Sequence, residues 1–195
     1  MPRRSRRFNK KNIMSMLIIF FMVSSVFGVM FYGFSSSMQK KKIDGKTFTL
    51  TQAGVMTKVE GEKLYFQYFP DDVEDIPMTD ASSSLLGSNA LYITYDPYSP
   101  FYREMALFQF NLQQFLQKNF GSYAVLAMTE DYEQGSLPVI DCLNASSVQP
   151  VVKISEANST RIRDLGNCVI VEFDTSFNID RALDRIKYTL LGILG

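Results

Sequence analysis

ALYITYDPYSPFYREMALFQFNLQQFLQKNFGSYAVLAM, residues 90–128, decides how the chain folds. Ala90 to Tyr95 is rich in the β-branched and aromatic residues that strands favour, and Asp96-Pro97 breaks the run. Ser99-Pro100 then supplies an N-cap followed by proline at the first helical position, where an N–H has no intrahelical partner to lose. Phe101, Met105, Phe108, Leu112 and Phe115 recur at helical spacing and form one apolar stripe. Gly121 ends the helix, and Tyr123 to Met128 is an apolar run suited to a buried strand. A helix joining two strands of one sheet makes a βαβ unit, whose strands are parallel and whose crossover should be right-handed.

Downstream, residues 137–142 (LPVIDC), 151–155 (VVKIS) and 168–173 (CVIVEF) are further strand candidates. Asn178 should cap a last helix reaching about Leu191, with Ile179, Leu183, Ile186 and Leu190 inward. Upstream, residues 47–50, 55–59 and 63–69 read as a three-stranded meander, turning at Gln52-Ala53-Gly54 and at Glu60-Gly61. Both faces of its third strand carry aromatic bulk, and Pro70 ends it. Residues 70–89 read as loop with one short helix, which Asp71 or Asp72 should cap at its positive end. The acidic residues there lack the EF-hand pattern, so capping and solvation are preferred over a cation site. The expected fold class is α/β or α+β: a short β-meander, then a mixed sheet with two packed helices, in one domain over 46–195. About 150 residues can bury a core of their own.

The N-terminal segment is of another kind. Residues 13–34 carry no charge over 22 positions and follow the basic tail Arg3, Arg4, Arg6, Arg7, Lys10 and Lys11. As a helix this run would be about 33 Å long, enough for a hydrocarbon core of about 30 Å. It is read as a single-pass signal-anchor in the cell membrane, with residues 1–12 cytoplasmic by the positive-inside rule and the C-terminal domain outside. A cleavable signal peptide is the alternative, but its apolar region would be shorter and would end in small residues. Ser24 and Gly28 form a small-xxx-small pair, for which chance placement is preferred over a helix-pairing role. Residues 35–45 read as a short polar stalk, so the domain should sit near the membrane. After Phe34 the chain has 20 acidic residues and 14 basic ones, a net charge of −6. A nucleic acid partner is not expected of such a domain.

Cys142 and Cys168 lie 26 positions apart, outside any C-x-x-C pair, and a structural disulfide is the simplest account of them in an oxidising exterior. Sequons at Asn144 and Asn158 would suit that location as glycosylation sites. The chain has no His, which removes Ser-His-Asp and Cys-His catalysis and His-ligated zinc. It has no phosphate-cradling glycine motif, and no catalytic, metal or cofactor site is expected. Asp141, Glu172 and Asp174 fall at or near strand ends, where α/β folds gather ligands, yet salt bridging with Arg161, Arg163 or Arg185 is preferred. Lys153 could serve a Ser-Lys pair, though a strand lysine is more often a snorkelling edge residue. Tyr92, Tyr95, Tyr98 and Tyr102, with Phe101, suit either a core rim or a binding surface. The apolar residues 190–194 should close the core, with docking on a partner as the alternative.

The order of elements, from KTFTLTQAGVMTKVEGEKLYFQYFP after the anchor through ALYITYDP, SYAVLAM, LPVIDCLNAS, PVVKIS and NCVIVEF to DRALDRIKYTLLGIL, resembles uncharacterised single-pass membrane proteins of archaea. That resemblance implies an exterior α/β domain and supplies no activity or catalytic residues. The function expected is a membrane-anchored extracytoplasmic binding or assembly module of the cell envelope. Its partners would be the lipid bilayer, through residues 13–34, and an envelope protein. The alternative is a hydrolase-like envelope enzyme using carboxylates or a Ser-Lys pair.

Overall fold

The computed structural model describes residues 14, 16–25, 39–132 and 137–195. The chain divides into two units, Met1–Gln39 and Lys40–Gly195. In the first, residues 16–25 are helical. The basic tail 1–12, positions 13, 15 and 26–34 of the apolar run, and stalk residues 35–38 lie outside the described residues. Among the described residues no helix is long and apolar enough to cross a membrane.

The second unit opens with a four-stranded antiparallel sheet in the order β1 (Lys40–Ile43), β2 (Lys46–Thr51), β3 (Gly54–Val59), β4 (Glu62–Phe66). The meander thus has four strands where three were expected, because the lysines assigned to a stalk pair with β2: Lys40 lies opposite Thr49 and Lys42 opposite Thr47. Lysine at a sheet edge discourages further strand addition. The two tight turns place Asp44-Gly45 and Glu60-Gly61 at positive φ, the geometry of two-residue hairpins whose twist matches the strands. Gly54 begins β3 at φ +111°, where a Cβ would collide with the Phe66 carbonyl across the ladder.

A one-turn 3-10 helix (Pro70–Asp72) and helix α1 (Asp80–Leu86) connect the two sheets. The α1 cap is Thr79, whose hydroxyl accepts from the Ser82 N–H, and not Asp71 or Asp72. Asp72 instead accepts from the Phe69 N–H three residues back.

The larger sheet runs β6 (Tyr123–Met128), β5 (Ala90–Tyr95), β7 (Val151–Glu156), β9 (Cys168–Phe173), β8 (Arg161–Leu165). The first four are parallel and β8 is antiparallel to β9. The βαβ unit over 90–128 is present, its helix α2 spanning Tyr102–Phe120 and ending on left-handed Gly121. The helix starts at Tyr102 with Phe101 as N-cap, so Ser99-Pro100 sits one turn earlier, the Ser99 hydroxyl accepting from the Phe101 N–H. The buried stripe is Met105, Phe108, Gln109, Leu112 and Leu116, with Phe115 half-buried beside it. Gln109 is buried because its amide donates to the Ile93 and Ala127 carbonyls, and Gln113 does the same for Ala124.

Residues 137–142 do not form the expected strand. Pro138 has no N–H to give, and pairing shrinks to a single bridge of Val139 with Met128 before a one-turn 3-10 helix at Cys142–Asn144. β8 was not expected, since Arg161, Ile162 and Arg163 place charge on alternate positions. Its charges are held by Glu172 of β9, which accepts from Arg161 and, at 2.8 Å, from Arg163. The last helix, α3 (Ser176–Leu190), begins after Thr175, so Asn178 lies inside it and donates to Asp174 rather than capping.

One core serves both sheets. Leu91, Ile93, Val152, Ile154, Val169 and Val171 face α2 and α3, and the same cluster includes Phe48, Val55, Leu64 and Phe66 of the meander. Tyr188 of α3 joins them, its ring stacked on Phe66 at 4.2 Å and its hydroxyl donating to the Tyr68 carbonyl at 2.6 Å. Burial pushes its phenol well above the ordinary range. Asp184, one turn earlier, accepts from the Gln67 and Tyr68 N–H groups at 2.6 and 3.0 Å and from Lys187 at 3.1 Å. Burial also raises the Asp184 carboxyl, against the pull of Lys187. Of the apolar C-terminal residues, Ile193 is in this core, and Leu190, Leu191 and Leu194 pack against it.

Candidate functional site

In open parallel sheets ligands collect at the carboxyl ends of the strands, where successive connections leave a strand in opposite directions. Here that point lies between β5 and β7. From β5 the chain crosses through α2 to β6 on one side, and the next parallel strand, β7, lies on the other side of β5. A groove of about 480 Å³ opens there, within the range of ligand sites.

Its walls come from four segments. The loop after β5 contributes Asp96, Tyr98 and Ser99, the end of β6 leads into Thr129 and Glu130, and β7 supplies Lys153, Ser155 and Glu156. Asp141 closes the fourth side, and Met105 and Ile154 add apolar surface. The β5 loop is held by its own backbone: Asp96 accepts from the Tyr98 N–H at 2.8 Å. The Tyr98 hydroxyl donates to the Asp131 carbonyl, and its ring meets Tyr132 edge-on at 5.6 Å.

Asp141 is positioned by a covalent bond next to it. Cys142 and Cys168 form a disulfide, with Cα atoms 5.3 Å apart, tying residues 137–149 to the first residue of β9. This segment covers part of the sheet face opposite α2, where Ile140, Cys142 and Ala145 pack on Val151, Cys168 and Ile170. Asp141 then meets Lys153 at 2.9 Å and accepts from the Cys142 N–H at 2.7 Å. Burial pulls the Asp141 carboxyl upward, but donation from Lys153 and from that N–H outweighs it and leaves the group below the ordinary range.

The groove therefore presents four carboxylates, from Asp96, Glu130, Asp141 and Glu156, and one lysine already paired. Lys153 is paired with Asp141 in a groove that Ser99 and Ser155 also line. Glu172, opposite Ser155 in the sheet but not itself in the groove wall, sits between two arginines, and Arg163 beside it, more than its burial, sets its carboxyl below the ordinary range. Asp174 accepts from Asn178 and Thr160 and is likewise depressed by those donors. No group of three or more Cys, Asp or Glu among the described residues is arranged to hold a metal ion.

The four tyrosines are divided. Tyr98 and Tyr102 are exposed, Tyr95 is buried in the main core, and Tyr92 packs half-buried on the disulfide side. Asn144 and Asn158 are both exposed, the first in the disulfide-held segment and the second between β7 and β8. Asp96, Glu130 and Glu156 carried no sequence signal, because only the strand order brings them together. Comparison with protein-family models, curated proteins and solved structures gives no match to this chain.

Proposed function

We propose that the chain is a binding or assembly module of the cell envelope, anchored in the membrane by residues 13–34, with its N-terminus cytoplasmic and its α/β domain outside. The observation that carries this reading is the disulfide-held wall. A bond favoured in an oxidising compartment fixes a segment presenting two apolar side chains, Leu143 and Val148, to solvent at 96 and 84% exposure. Both stand on the segment that ends the groove at Asp141. A rigid wall with exposed apolar tips beside a polar groove suits recognition of an envelope protein, since little conformational freedom is lost on binding. Catalysis has less support, because the candidate nucleophile and acid residues are engaged by structural partners.

Photocrosslinking in intact cells tests the reading. A photoreactive residue in place of Leu143 should give a heteromeric adduct, and one in place of Leu107, exposed on α2, should not. Monomer alone from the Leu143 position, under conditions where the reagent is active, would count against a protein partner.

A further inference from the structure

The outward face of the four-stranded sheet has no role in the groove or in the wall. Strand alternation and register place Lys40, Thr49, Met56 and Tyr65 in one row across it, and Lys42, Thr47, Lys58 and Lys63 on the same face. All four lysines and Tyr65 are exposed, and no acidic residue of the paired strands shares the face, Asp44 and Glu60 standing in the turns at its ends. Lys58 and Lys63 are direct cross-strand partners, an arrangement of like charges that disfavours the pairing. Among the described residues none of the four makes an ion pair, whereas Lys41, on the opposite face, is taken up by Asp71. Thr49 in the middle of this face is buried and Met56 half-buried, with the exposed lysines and Tyr65 around them.

The charge is also polarised along the chain. Residues 40–63 hold six lysines and three acids, while residues 64–195 hold eight basic residues and 17 acids. The basic end follows the apolar run closely: residues 35–39 can reach at most about 20 Å between Phe34 and Lys40.

We propose that the outward face of the β1–β4 sheet is a second membrane-contact site, its four lysines resting on the phosphates of anionic lipid headgroups with Tyr65 at the interface. Lysines near an anionic bilayer gain attraction that decays within a Debye length, and tyrosine is enriched at that depth. The unrelieved pairing of Lys58 with Lys63 is offset when both meet phosphate. The acidic remainder of the domain is then turned from the bilayer, which fixes the domain's orientation on the surface. The inference rests on the reading of residues 13–34 as an anchor.

The full chain in lipid nanodiscs of phosphatidylcholine, or of phosphatidylcholine with a third replaced by phosphatidylglycerol, provides the test. Acylation of each lysine is followed by mass spectrometry. On anionic discs Lys40, Lys42, Lys58 and Lys63 should react about fivefold more slowly than on neutral discs, and high salt should remove the difference. Lys153, in its ion pair with Asp141, should not change. Equal rates on the two discs overturn the proposal, as does protection by a soluble polyanion without protection on anionic discs. A chain that enters neither disc refutes the anchor instead. The face is then read by sedimentation of the full chain with anionic liposomes, where loss of binding in Lys58→Glu with Lys63→Glu upholds it and absence of binding in the parent chain overturns it.

Discussion

Glu172 shows how a single side chain makes a charged strand possible. Its carboxylate is almost fully buried at the end of β9 and accepts from Arg161 and Arg163, both on β8. Donation by Arg163 first, and by Arg161 after it, holds the carboxyl below its ordinary range against the opposing effect of burial. A depressed folded-state value means that the group stabilises the fold above its unfolded pKa, and that this contribution is lost as pH falls through the folded value. Glu172→Gln should therefore cost about 1–2 kcal/mol near neutral pH, the scale of hydrogen bonds to a charged group beside partly exposed arginines. At a pH below both values the variant and parent should be equally stable. Urea titrations at the two pH values check this, and a difference that persists in acid would mean that side-chain shape, not charge, sets the effect.

At the scale of elements, residues 137–149 have almost no regular backbone pairing, and the disulfide replaces it. The bond closes a separation of 26 residues, for which the chain-entropy relation gives about 3–4 kcal/mol. Cys142→Ala with Cys168→Ala should lower stability by about that amount and open the segment to proteolysis before the sheet strands. An unchanged denaturation midpoint would show that Thr94, which donates to the Ile140 carbonyl, and the bridge at Val139 are sufficient. The same contrast explains what could be read from the residues alone. Ala90–Tyr95, Tyr102–Phe120, Cys168–Phe173 and Ser176–Leu190 are elements whose apolar period matches the face they bury, so local pattern and tertiary packing agree. β8 was illegible because Arg161 and Arg163 find their acceptor on another strand, and β1 because a run of lysines reads as solvated chain. Gln109 was passed over since its partners are carbonyls of strands 16 and 18 residues away. Of the groove, Asp141, Lys153 and Tyr98 could be suspected from sequence, but their convergence depends on β7 lying beside β5, an order that no local signal encodes.

Over the whole Lys40–Gly195 unit, two sheets share one helix. α3 turns Ile179, Leu183 and Ile186 into the common core, and through Tyr188 and Asp184 it also grips the end of the meander. The meander by itself is a small sheet with one apolar face, the kind of structure that needs a packed partner for stability. Removing the Tyr188 ring would leave Phe48 and Phe66 without their main aromatic neighbour and free the Tyr68 carbonyl. Replacing a buried aromatic by alanine costs about 3–5 kcal/mol, and here that loss falls on the junction between the sheets. In the parent chain, amides of β2–β4 should exchange with solvent only through the same global opening that exposes β5, β7 and β9. In Tyr188→Ala the meander amides should exchange through a separate, easier opening, with those of the parallel strands following later. If the parent's β2–β4 amides already exchange far faster than those of β5, β7 and β9, the two sheets are independent and Tyr188 is not what unites them.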